Sequence, residues 1–433
     1  MSKTGPPMLN RRNAILGTAA CLAAVQGCGP SDAPAPISEP LRTDIPLRIA
    51  MAATKIQSDA INRSWGSVSD QPLKITTTQT SRDSSAPIAD LIAAAENSDV
   101  VVVPLNAVAE LVANDAIAPM ASDDMQELID DLYPALRGGV VRFGNNAYAL
   151  PLASTLPALL TTESTAPDSP IATWHDYDQW VGEQANQAAG EPTAPGWAAA
   201  MFLWRAAGSA QRWLFNRENF APTIDEETYI DSLALMAKTV ARYPQPRRTP
   251  DQVWSDLLDQ KIAGGIGFPT RPPGNESEIR VAPLPGGTNP LNQNKPLFDP
   301  WLSVIAITTN CRQTDASRTF VQWITGGESS ESARRQIAPF APVRISDAHD
   351  LSDPYAQWLT QKLDTPVTLP TIQVMGAAEY YAALDDQVIR CLGGKSTPAE
   401  SLAETAKSWR ALTARIGIDP QLRTWRRIQG IEA

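Results

Sequence analysis

A chain of 433 residues, 43% hydrophobic and 19% charged, is long enough to build two lobes with a core each. Its formal net charge of -11 excludes a phosphate-backbone partner, because neutralising phosphates needs clustered Lys and Arg. Two histidines, His175 and His349, both in polar loop-like contexts, and four scattered cysteines with no Cys-x-x-Cys pair leave no basis for a zinc site, a thioredoxin-type motif or any other cofactor.

The amino terminus reads as an export signal over residues 1–28. Lys3, Arg11 and Arg12 give it a positive start, and the apolar stretch 14–27 is shorter than the roughly 20 residues a membrane-spanning helix needs. The stretch ends in Val25-Gln26-Gly27-Cys28, which resembles a lipobox, so Cys28 is the expected lipidation site, with Cys21 a weaker candidate. Arg11-Arg12 leaves twin-arginine export open beside the general route. Residues 29–46 contain five prolines and read as an extended tether. Stable anchoring by such a cysteine takes more than one acyl chain. Beyond the anchor, no segment reaches spanning length. Cys311 and Cys391 face an oxidising exterior in this reading and are either a disulfide or two separate thiols.

From residue 47 strands and helices alternate. Leu47-Arg48-Ile49-Ala50-Met51 reads as a strand, 58–65 as a helix, Leu73-Lys74-Ile75-Thr76-Thr77-Thr78 as a second strand and 86–95 as a helix. Asp99-Val100-Val101-Val102-Val103, ended by Pro104, has the continuous apolar character of a strand buried on both faces. This order predicts a parallel sheet covered by helices, with ligand contacts just past the strand ends, at 52–55 and 104–106. The middle, 156–300, is rich in tryptophan, and 316–325 and 399–416 are the clearest later helices.

Several segments resemble, in order, the family 1 extracellular solute-binding proteins of ABC transporters, the maltose-binding-protein-like group that takes up sugars. They are the strand at Asp99 with the following Leu111–Pro119 turn, Gly144-Asn145-Asn146-Ala147-Tyr148-Ala149-Leu150-Pro151, Thr173-Trp174-His175-Asp176-Tyr177, Gly264-Gly265-Ile266-Gly267-Phe268, Ala282-Pro283-Leu284-Pro285-Gly286-Gly287 and the carboxyl-terminal stretch from Tyr380 to Trp409. One signature departs: where the family shows a tyrosine followed by Asn or Asp after Pro151, this chain has Leu159-Leu160-Thr161-Thr162. The resemblance implies an α/β, two-lobed, type II periplasmic-binding-protein-like fold with several hinge crossings. Lobe one would hold 47–152 and 304–365, and lobe two 156–300 and 366–433. It implies a monomer, lipid-anchored at the cell membrane and facing the periplasm or exterior. Hinge closure on a small solute, a carbohydrate, would be read by the membrane subunits of a permease.

Matched to family contact positions, the expected ligand-binding residues are Lys55, Asn106, Thr155, Arg271, Trp301 and Tyr380, with Trp197 a further cleft candidate. In the maltose-binding branch the positions of Asn106 and Thr155 are acidic, so a ligand other than maltose is implied. Trp301, beside Pro300 in a crossing segment, is the leading stacking candidate. Arg271 suits a carboxylate or phosphate on the ligand or is a solvated loop residue, and Tyr380 or Tyr381 is either a contact or core. Trp65, Trp204, Trp323 and Trp409 have helical spacing and read as packing. A degenerate scaffold or sensor is the alternative function. A carbohydrate-active enzyme is weaker still, since no G-x-S-x-G elbow, phosphate loop or metal cluster is present.

Overall fold

The computed structural model describes residues 44–78, 82, 89–167, 169–183, 188–243, 247–271, 279–289, 291, 295–326, 328–337, 342–346 and 353–431. The export signal, most of the tether, Cys28 and His349 lie outside the described residues. The strands are β1 (Leu47–Ala52), β2 (Leu73–Thr78), β3 (Val100–Pro104), β4 (Arg142–Phe143), β5 (Asn146–Ala147), β6 (Leu150–Pro151), β7 (Ala158–Thr162), β8 (Ala189–Gly190), β9 (Gly264–Gly267), β10 (Ile279–Ala282) and β11 (Ser303–Ile307). They form two main sheets, one per lobe, plus the small β4–β5 hairpin.

The first sheet has the order β2-β1-β3-β11-β6. Its β1, β2 and β3 are parallel, as the β-α-β-α-β pattern requires, because the helices Lys55–Gly66 and Ala89–Glu96 return the chain between them. The valine run is β3, buried along its whole length between β1 and β11, and each fully buried valine contributes about 1.5–3 kcal/mol over exposure. By contrast β11 runs antiparallel to both β3 and β6, a departure from an all-parallel sheet. The cause is its route, since β11 enters from the other lobe through a long crossing segment rather than over a helix. At the start of β3, Asp99 receives the Arg48 guanidinium (Nη2–Oδ1 2.6 Å) and the backbone amides of Arg48 and Arg312, each at 2.9 Å. Burial by itself would raise this carboxyl, but those donors more than reverse it and hold it below the ordinary aspartate range.

The second sheet has the order β10-β7-β9-β8, with β7 antiparallel to both neighbours and β8 parallel to β9. The glycines of β9 have a steric reason: a Cβ on Gly265 would sit 2.2 Å from the carbonyl oxygen of Gly190 on β8. Leu159 and Leu160, which replace the family's polar signature, are buried on β7. The carboxyl-terminal helices Ala377–Leu392 and Pro398–Ile416 pack on the helices Ala198–Ala206 and Glu227–Val240 of this lobe. The helix Pro354–Leu363 packs against β10 and also against Pro134–Leu136, so it touches both lobes.

The chain passes between the sheets from β6 to β7 through residues 152–157 and returns from β10 to β11 through the segment ending at 302. The first passage is pinned by Tyr355, whose hydroxyl donates to the Leu156 carbonyl (2.7 Å) and accepts from the Leu156 amide (3.0 Å). Cys311 and Cys391 are both free thiols, which settles the open alternative against a disulfide. Among the described residues no helix is long and apolar enough to cross a membrane.

Candidate functional site

Where the two passages run side by side they enclose a cavity of about 370 Å³. Ala153 and Thr155 of the first passage form one wall, and Asp299, Trp301, Leu302 and Ser303 of the second form another. Trp197, Phe268, Thr270 and the helix start Thr249-Pro250-Asp251 face them from the second sheet's lobe, and Arg82 reaches in from the segment after β2. A solute here contacts both lobes and both hinge strands together.

Each wall has a local cause. Asp299-Pro300-Trp301-Leu302 is a turn with proline at its second position, closed by the Leu302 amide on the Asp299 carbonyl at 3.0 Å. The turn is held from beneath by Leu105 N–H to Leu302 O (2.8 Å) and Asn106 N–H to Pro300 O (2.9 Å). Trp301 therefore projects from a fixed backbone, with its ring edge-on to Tyr381 at 5.1 Å between centroids. Trp197 follows Gly196, whose φ of +80° suits glycine, and leads into the helix Ala198–Ala206. The buried carboxylate of Asp385 accepts the amides of Gly196 (2.8 Å) and Ala199 (2.9 Å), fixing the backbone on both sides of Trp197. Burial raises the Asp385 carboxyl above its ordinary value despite these donors. Thr249 caps the helix Pro250–Leu258 through a reciprocal pair with Gln252. Asp251, beside that cap, accepts a hydrogen bond from the Thr270 hydroxyl at 2.7 Å.

Beside the Asp251 carboxylate, the charge in the cavity is one tight pair. Arg82 donates through Nη1 to Asp299 Oδ1 at 2.9 Å and through Nη2 to Oδ2, a two-pronged fork. Its guanidinium carbon lies 3.4 Å from the Trp197 ring centroid and 5.0 Å from that of Trp301. The arrangement brings two indoles, a phenyl ring, a guanidinium fork, two carboxylates and three threonines around one small volume. Aromatic faces suit the C–H surface of a sugar ring or polyol, and the polar groups suit its hydroxyls.

Of the seven residues expected from sequence, Thr155, Trp197 and Trp301 line this cavity and four do not. Asn106 is buried beneath the Trp301 turn, and its Nδ2 has no hydrogen-bond partner among the described residues. Lys55 opens its helix on the solvent side, with a side chain 87% exposed and paired to Asp59 one helical turn on. Arg271 is exposed and donates to Ser255 Oγ at 3.4 Å, whereas its neighbour Thr270 lines the cavity. Tyr380 is fully buried, bonded to Thr413 Oγ1 at 2.7 Å and packed edge-on to Trp409, with burial raising its phenol to about 12. Adjacent residues on a helix point about 100° apart, so it is Tyr381 that faces the hinge and supports Trp301. Trp65, Trp204 and Trp409 are core, and Trp323 packs at the core's edge on Trp65.

A larger cavity, about 830 Å³, lies beside β7 and β10 and is lined by Pro167, Pro170, Pro283, Pro285 and Trp358. Its polar lining is Thr161, Thr173 and the cations Arg280, Lys295 and Lys362, whereas the hinge cavity combines two indole faces with Arg82, Asp251 and Asp299, which is why the smaller one is the candidate. Among the described residues no cluster of His, Cys, Asp and Glu is placed to hold a metal ion.

Residues 69–358 match the family of bacterial extracellular solute-binding proteins. The chain belongs to that family. Its members are exported binding proteins rather than enzymes. No curated protein matches the chain by sequence. Among solved structures, maltose-bound MalE3 of T. maritima superposes with a TM-score of 0.67 at 15% identity, covering 84% of this chain and 100% of that one. The sugar-binding protein MalE of Xanthomonas citri gives 0.66 at 16% identity, over 90% and 100%. An ABC transporter solute-binding protein of Agrobacterium vitis S4 with bound D-mannitol gives 0.63 at 16%, over 86% and 99%. At such identities the likeness is one of fold, and it establishes this solute-binding protein as two-lobed and α/β.

Proposed function

We propose that the protein is the substrate-binding component of an ABC importer, capturing a neutral sugar or polyol of mono- to disaccharide size and delivering it to the membrane subunits of a permease. The observation that carries this is the pair Trp197, on the second sheet's lobe, and Trp301, on the segment that crosses between the lobes, which face a common space at the hinge. A solute stacked there gains contacts only when the lobes are together, so binding energy favours closure. Phe268 extends the stacking surface, while Arg82, Asp299, Thr155 and Thr270 supply donors and acceptors for hydroxyls. A volume of about 370 Å³ is near the small end of ligand pockets, about 300–1,000 Å³, and fits one or two sugar rings better than a long oligosaccharide. The likeness to structures holding maltose and D-mannitol supports the same class of cargo.

The anchor in this reading is lipid on Cys28, with residues 29–46 as the tether and a monomeric binding unit beyond. A Cys28→Ser chain is expected in the soluble fraction and unlabelled by fatty acid; a membrane-bound, labelled variant would move the anchor elsewhere. The function itself is tested by thermal shift of the chain from Leu47 against monosaccharides, disaccharides, polyols and sugar phosphates. A ligand that binds only the folded state raises the melting temperature. Shifts with neutral sugars or polyols are expected. Shifts confined to sugar phosphates would overturn the cargo class, and a folded sample with no shift would favour the non-transporting scaffold.

A further inference from the structure

The cavity of about 830 Å³ beside β7 and β10 shares no lining residue with the hinge cavity. Its lining follows the chain from Leu156 to Thr161, about 16 Å at the spacing of an extended strand. The neighbouring β10 runs alongside, with Arg280 opposite Thr161 and Ala282 opposite Leu159. The space is therefore long as well as large. Leu159, one of the residues by which this chain departs from the family's polar signature, adds to its apolar wall together with the prolines.

The charged residues that line this cavity are Arg280, Lys295 and Lys362, so a chain of net charge -11 has gathered three cations and no carboxylate around one apolar space. Arg280 is balanced at the surface by Glu163. Lys362 is half-buried, and burial holds its ammonium below the ordinary lysine value with no charge among the described residues to offset it. Trp358 and Lys362 lie one turn apart on the helix Pro354–Leu363, hence on one face, and both line the cavity. A desolvated ammonium is stabilised by an anion brought to it, and the walls around it by apolar atoms that displace water. A molecule that does both has an apolar body and a single anionic head.

We propose that this cavity is a second binding site, taking a fatty carboxylate with its chain along β7 and β10 and its head at Lys362. The volume falls within the usual range of small-molecule pockets, about 300–1,000 Å³, and the walls have the usual makeup, largely apolar with a few polar groups that fix orientation. Compact polar anions fit poorly, because beyond the cations the hydroxyls lining the cavity are those of Thr161 and Thr173. The site adjoins the hinge without overlapping it. Leu156 and Pro157 belong to the first passage, and the ring of Trp204, which lines this cavity, lies 6.5 Å from that of Trp197, which lines the other.

The test is calorimetry on the chain from Leu41, a compact unit by itself, with octanoate, decanoate and decanol, each below its aggregation limit. Saturable binding of decanoate is expected, about tenfold tighter than octanoate for two added methylenes, and tighter than the uncharged decanol. Lys362→Met keeps the apolar stem and removes the charge, so it should weaken decanoate tenfold or more and leave decanol unchanged. A normal urea unfolding curve verifies the fold of that variant, and the series of three ligands on the parent chain needs no variant at all. Absence of saturable decanoate binding overturns the proposal. Decanol binding as tightly as decanoate, or decanoate binding indifferent to Lys362→Met, overturns the assignment of the head.

Discussion

Trp301→Ala is the sharpest perturbation of the hinge cavity. The substitution removes an aromatic surface from a wall built by the second lobe crossing, while the turn that carries it stays bonded through Leu302 N–H to Asp299 O at 3.0 Å and Asn106 N–H to Pro300 O at 2.9 Å. Tryptophan truncation at the centre of a binding site typically costs 2 kcal/mol or more, and 1.4 kcal/mol is tenfold in affinity, so the dissociation constant should rise about 30-fold or further. Trp301 is only partly buried, so its stability loss should fall below the ~3–5 kcal/mol of a core tryptophan. Calorimetry with the sugar or polyol of largest thermal shift measures the first quantity, and urea unfolding the second. An unchanged dissociation constant in a variant with a normal unfolding curve would refute a stacking role for Trp301. A collapse of stability would instead show that the ring is structural.

Four further outcomes are expected. Arg82→Ala strands the carboxylate of Asp299, whose side chain is 7% exposed, and should cost about 2–3 kcal/mol in chemical denaturation; adding Asp299→Ala should restore part of it, and purely additive losses would deny the coupling. Asp385→Ala orphans the amides of Gly196 and Ala199, which should cost about 2 kcal/mol and weaken cleft binding by loosening Trp197; full stability would refute the clamp. Gly265→Ala puts a methyl 2.2 Å from the Gly190 carbonyl and should destabilise by about 2 kcal/mol as β8 and β9 are forced apart, with an unshifted melting temperature as the contrary result. The folded Asp99 carboxyl lies below its unfolded value of about 3.9, so its stabilisation is full above that pH and fades as pH falls through the folded value. Asp99→Asn should therefore lose about 2 kcal/mol at neutral pH, a gap that starts to close as pH falls past about 4 and vanishes only below the folded value; a constant gap across pH would contradict this assignment.

The fold was legible because its elements announce themselves locally. The five buried residues of β3 read as an apolar run, and the helix Pro398–Ile416 carries both its period and its Thr397–Glu400 cap in plain sequence. The antiparallel entry of β11 was not legible, since direction within a sheet is fixed by the route of a crossing that leaves no periodic trace. The site divides along the same line. Trp301 stands beside a proline in a crossing segment, and that context marked it. Arg82 sits 217 residues from Asp299 in sequence, in a polar stretch with nothing to distinguish it from a solvated loop. Tyr380 and Tyr381 differ by one residue, and only the helix's rotational phase decides which of them meets the hinge.

Placing the cleft at the crossings has a mechanical consequence. Thr155 and Trp301 lie in the two segments that cross between the lobes, so in the proposed reading cargo would contact the backbone that joins them. The Arg82–Asp299 pair adds a second link, since it joins the segment after β2 in one lobe to the passage entering β11. A cargo that takes over the Asp299 carboxylate or the Trp197 face must weaken the hold of Arg82 on both. In the proposed reading cargo identity and lobe position are then coupled through one guanidinium. For this protein, discrimination among sugars should therefore show more strongly in the closed population than in binding to either lobe alone.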